Sequence, residues 1–133
     1  MAISAKEVQA LRQSTGAGMM DAKRALEENN GDPEAAALWL RERGLGKAAE
    51  RSDRDNAEGA IAMARNGNVA ALVQLKCETD FVAKSPEFLP VLDALAAAVL
   101  ADGEGAVASL KDQIDDLKVT LKENIDVGRV IRI

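Results

Sequence analysis

The sequence predicts an α+β protein, in which a three-helix module precedes a small three-stranded antiparallel sheet with packed helices. Three observations predict it. Residues 4–43 carry short helical patterns separated by Gly- and Asn-rich breaks. Two alternating runs flank Asn66-Gly67. A second helical stretch follows, and the apolar run Val127 to Ile133 comes after it.

Each element has a local reason. Ser4 and Glu7 form a capping-box pair, with Ser at the N-cap and Glu three residues on. Val8 and Leu11 supply the first apolar stripe. Thr15-Gly16-Ala17-Gly18 breaks that helix, because glycine admits a tight turn. Met19, Met20, Ala22, Ala25 and Leu26 are spaced for a second helix, which Asn29-Asn30-Gly31 ends. Asp32 and Pro33 match an N-cap followed by proline at the first helical position. Ala36, Ala37, Trp39 and Leu40 carry a third helix, with Gly44 as its expected stop. Lys47 to Asn56 is charged, has little large apolar content and reads as an exposed linker. The expected division is 1–45 for the helical module, 46–57 for the linker and 58–133 for the α+β core.

In the core, Ile61 and Met63 precede Asn66-Gly67, a strong hairpin signal. Val69, Ala71, Val73, Leu75 and Cys77 share one strand face by the period of two. Ser85-Pro86-Glu87 starts a helix whose apolar positions are Phe88, Leu89, Leu92, Leu95, Ala96 and Val99. Asp102-Gly103-Glu104-Gly105 interrupts. Leu110, Ile114, Leu117 and Leu121 mark another helix, read as core packing and not as a coiled-coil seam. Val127 to Ile133 is a final strand expected to join the hairpin.

Composition narrows the chemistry. The chain of 133 residues contains no His, so the commonest general base and metal ligand is missing. Its single Cys excludes an intramolecular disulfide and a Cys-rich zinc site, and is compatible with a reducing compartment. A net charge of −5 gives no basic footprint for nucleic acid. There is no signal-peptide pattern and no apolar run long enough for a membrane span, so a soluble cytoplasmic protein is expected. Gly44-Leu45-Gly46-Lys47 lacks the spacing of a phosphate loop. Asp115-Asp116 reads as solvated surface, and Cys77 as a small buried residue. No catalytic residue, metal or cofactor is implied.

One segment stands apart, Cys77-Glu78-Thr79-Asp80-Phe81-Val82-Ala83-Lys84-Ser85. It falls at a strand-to-helix junction, and only two Phe and one Trp exist in the chain. Two readings of Phe81 stand open. It folds inward to close a small core, with Thr79 or Asp80 as a cap. Alternatively it projects beside a carboxylate as an anchor for a partner pocket.

These residues resemble the elongation factor Ts family. Leu11-Arg12, Thr15-Gly16-Ala17-Gly18-Met19-Met20-Asp21, Lys23, Ala25 and Leu26 form one matching block. Cys77-Glu78-Thr79-Asp80-Phe81-Val82-Ala83-Lys84 is a second, and Glu123-Asn124-Ile125 a weaker third. The resemblance implies that the helical module is ubiquitin-associated-like and packs on the G domain of elongation factor Tu, with Lys23 at the contact. It implies a nucleotide exchange factor in translation elongation, not an enzyme. Thr79, Asp80, Phe81 and Val82 would enter the G domain, GDP-bound or nucleotide-free, and displace elements around its Mg²⁺. Leu121 and Lys122 match positions near that interface. The family usually has Gly where Lys122 stands, and usually carries a second core subdomain. The chain therefore reads as a fragment or a reduced form, and a Tu-binding module without full exchange activity is the alternative.

Overall fold

The computed structural model describes residues 2–133. In chain order the elements are α1 (Ala5–Thr15), α2 (Met19–Glu28), α3 (Pro33–Glu50), β1 (Glu58–Asn66), β2 (Val69–Cys77), α4 (Asp80–Ala83), α5 (Phe88–Asp102), a 3-10 segment (Glu104–Leu110), α6 (Lys111–Leu121) and β3 (Asp126–Arg132). The architecture is α+β, with three N-terminal helices and a three-stranded antiparallel sheet, as the sequence predicts. Two compact units divide after Lys47.

In the first unit, the Ser4 hydroxyl accepts from the Glu7 amide and the Glu7 side chain accepts from the Ser4 amide, closing the capping box. Gly16 ends α1 in the left-handed conformation. The Asp32 carboxylate accepts from the amides of Glu34 and Ala35 at the start of α3. Val8, Leu11, Ala22, Ala25, Leu26 and Ala36 are buried together, a core of small aliphatic groups. Trp39 packs at its edge, with the Arg43 guanidinium 5.2 Å over its ring.

Helix α3 overruns its expected stop. It passes through Gly44 and Gly46 and reaches Glu50. Neither glycine adopts positive φ. Each costs roughly 1 kcal/mol against Ala in a helix, but the good helix formers Lys47, Ala48, Ala49 and Glu50 follow and carry the helix on.

In the second unit, the strand order is β1-β2-β3, and both pairings are antiparallel. Ala71, Val73, Leu75 and Cys77 of β2 point to one face and are fully buried. Phe88, Leu92, Leu95, Ala96 and Val99 of α5 cover them, joined by Ile114 and Leu117 of α6 and by Ile125. Phe88 is thus the core phenylalanine. The other sheet face carries Ile61 and Met63, both exposed.

Three expectations are corrected here. The hairpin loop is Gly67-Asn68, because Asn66 pairs with Val69. Gly67 has φ +60 while Asn68 is not left-handed, the pattern of a II′ turn with glycine first. Leu89 is exposed, since it stands one position past Phe88 on α5 and off the buried stripe. Asp115 is buried and not solvated: it forms ion pairs with Lys111 one turn before it and Lys118 one turn after. A buried carboxylate requires such partners.

Lys122 ends α6 at φ 57 and ψ 39, the left-handed region that glycine occupies without strain. This gives a physical reason for the glycine that the family resemblance places there. Lys122→Gly is expected to raise stability by about 0.5–1 kcal/mol in urea unfolding, the relief of strain exceeding the added unfolded-state entropy.

Candidate functional site

The site grows from the end of the sheet. Strand β2 stops at Cys77, and Thr79 is extended, at φ −126 and ψ 154. The Thr79 hydroxyl accepts from the Val82 amide at 3.3 Å, which caps the single turn α4. A turn of four residues cannot hold itself, because helix nucleation is unfavourable. It is held at both sides. Ala83 is buried and Val82 half-buried against the core, and the Ser85 hydroxyl accepts from the Phe88 amide at the start of the next helix. Asp80 and Phe81 lie on the outer side of the turn. Phe81 is 84% exposed, so its ring does not fold into the core.

A reciprocal clasp braces the turn from behind. The Glu123 carboxylate accepts from the amides of Glu78 at 3.0 Å and Thr79 at 3.1 Å. Its other oxygen accepts from the Thr79 hydroxyl at 2.8 Å. In return, the Glu78 carboxylate accepts from the Asn124 amide at 2.6 Å. The Asn124 side chain donates to the carbonyls of Ser52 at 3.1 Å and Arg54 at 2.6 Å. Arg54 lies 3.5 Å from the Glu78 carboxylate, and Arg51 donates to the Lys118 carbonyl at the end of α6. Asn124 is buried and Glu123 half-buried. Hydrogen bonds to a carboxylate are stronger than neutral ones, so this brace is stiff.

The structure brings Thr79, Asp80, Phe81 and Val82 together on one turn. Leu121, the last residue of α6, is half-buried against the same core. Lys23 lies in the other unit, exposed on α2 and 3.9 Å from Glu27 of the same helix. Sequence reasoning missed Glu78, Glu123 and Asn124 as bracing residues. Their hydrogen-bond partners lie 44 to 72 residues away, and no periodicity links them. Their traces are Glu78 in the Cys77 to Lys84 block and the weak Glu123-Asn124-Ile125 block.

Burial raises the Cys77 thiol to about 11, with the Glu123 carboxylate adding to the effect. Among the described residues no group of three or more His, Cys, Asp or Glu could hold a metal ion, and no helix is long and apolar enough to cross a membrane.

An aromatic and a carboxylate thus lie exposed on one braced turn. Curated relatives of one name match the chain by sequence. The chain is 46% identical over 142 aligned positions to elongation factor Ts of Lactococcus lactis subsp. cremoris, covering 98% of this chain and 42% of that protein. It is 45% identical to elongation factor Ts of Hyphomonas neptunium, covering 98% of this chain and 48% of the relative. It is also 45% identical to that of Ruegeria pomeroyi, covering the whole of this chain and 48% of the relative. No protein-family model matches the chain. By sequence, the chain belongs to the elongation factor Ts family. It spans a little under half the length of these curated relatives.

The thiol shift has a consequence for pH. The folded thiol keeps its proton from the ordinary 9.0 up to about 11, while the unfolded one loses it. The native state then binds more protons, so stability falls as pH rises through that window. The urea midpoint of the wild type should drop between pH 8 and 10.5 by the equivalent of roughly 1–2 kcal/mol more than that of Cys77→Ala. Equal drops would contradict the assignment.

Proposed function

We propose that the chain acts in the cytoplasm, in translation elongation, as a guanine-nucleotide exchange factor for elongation factor Tu. The observation that carries this reading is the exposed Phe81 beside Asp80 on a braced turn, in a chain of this family. Thr79, Asp80, Phe81 and Val82 form the part that enters the G domain and displaces elements around Mg²⁺ and the GDP diphosphate. Residues 1–45 form the ubiquitin-associated-like docking module and contribute Lys23. Residues 46–57 link it to the core, 58–133, which contributes Leu121. The chain makes and breaks no covalent bond in this role, and it takes part through protein contact, without nucleic acid or membrane.

Linkage supplies the physics. A factor that binds nucleotide-free Tu more tightly than Tu·GDP must weaken GDP binding by the same ratio. Burying one phenylalanine contributes roughly 1.5–3 kcal/mol. At about 1.4 kcal/mol per decade, that is at most about two decades of coupling. The remaining interface has to seat the ring.

Phe81→Ala separates function from folding. Its side chain is 84% exposed, so the melting temperature should hardly move. Stimulated release of a fluorescent GDP analogue from Tu should slow by about tenfold to a hundredfold, the value of one buried ring. Equal release by the two folded proteins would overturn the wedge.

A further inference from the structure

We infer that Glu123 is a positioning residue for the turn that presents Phe81, acting through the Thr79 hydroxyl. The inference rests on the exchange role of that turn, and it names the group that keeps the turn ready.

The reasoning follows the direction of each hydrogen bond. A threonine hydroxyl has one proton to give and lone pairs to accept with. At Thr79 the proton goes to Glu123 at 2.8 Å, and a lone pair receives the Val82 amide at 3.3 Å. Glu123 therefore orients the hydroxyl so that it caps α4. Its second oxygen takes the amides of Glu78 and Thr79, fixing the backbone that enters the turn. Three donors from two adjacent residues converge on one carboxylate. The side chain that does this follows directly on Lys122, whose left-handed backbone ends α6. Asn124 is tied to the Ser52 and Arg54 carbonyls, which anchors the strand of chain bearing Glu123. Phe81 itself makes no stabilising burial, being 84% exposed. Its direction is set by the turn beneath it, and the turn by the cap. The pairing of Glu123 with Thr79 is thus a preorganising device: it removes the cost of ordering the turn when a partner binds.

The test has one readout without Tu and one with it. In the chain alone, amide hydrogen exchange of Val82, which does not touch Glu123, should speed up about tenfold or more in Glu123→Ala, while Val73 and Leu75 in β2 stay within twofold. Glu123→Gln keeps one acceptor for the Glu78 and Thr79 amides but turns an NH2 donor towards the Thr79 hydroxyl, so it should restore only part of the protection. Thr79→Val removes the hydroxyl, leaves Glu123 in place and should speed Val82 exchange as Glu123→Ala does. It provides the answer if Glu123→Ala fails to fold. With Tu·GDP, Glu123→Ala should lower the maximal rate of stimulated release about tenfold, with the half-saturating concentration within about twofold. If the wild type releases no GDP, the exchange reading fails, and the Val82 measurement still decides the positioning role. Unchanged Val82 exchange in both Glu123→Ala and Thr79→Val would overturn the inference.

Discussion

The convergence of the Glu78 and Thr79 donors on the Glu123 carboxylate is the interaction on which the second unit's surface depends. It joins the end of β2 to the segment between α6 and β3. Those two stretches are far apart in sequence, and the core alone would bring them near without fixing their angle. Burial is non-directional, whereas a hydrogen bond has a direction. The apolar contacts of Cys77, Ala83, Phe88 and Ile125 hold the turn down. The clasp sets how it faces.

This division suits a chain poor in aromatics. The core of the second unit is built from Val, Leu, Ile and Ala around the single buried phenylalanine, Phe88. It leaves the other phenylalanine, Phe81, almost wholly in solvent. An exposed ring contributes little to folding, and its hydration is unfavourable until a partner covers it. The same four-residue turn therefore carries side chains that serve the core, Ala83 and in part Val82, and others that do not, Phe81 among them. The opposite sides of Ala83 and Phe81 follow from the turn's geometry, since residues two apart on a helix do not face the same way.

Much of the fold is legible because its signals are local. Ser4 and Glu7, Asp32 and Pro33, and the alternation from Val69 to Cys77 each lie within a few residues, and each forms the expected cap or strand face. Where local signals compete, legibility drops. Gly44 looks like a stop, but the residues after it favour helix strongly enough to continue. Asp115 looks solvated because its helix is polar there, yet Lys111 and Lys118 allow it to be buried. The candidate site was legible in its residues and not in its support. The residue pattern left Phe81 open between inward and outward, and only the family resemblance turned it outward. Glu123 and Asn124 act across the fold, and a contact between distant polar groups leaves no period in the sequence.

The exchange account stands or falls on differential affinity, since a factor that binds two states of its partner equally shifts nothing. The most direct measurement is calorimetric titration of this chain into nucleotide-free Tu and into Tu·GDP under identical conditions. The account predicts tighter binding to the nucleotide-free form, with GDP affinity for the complex reduced by the same ratio. Equal affinities for the two forms would contradict it.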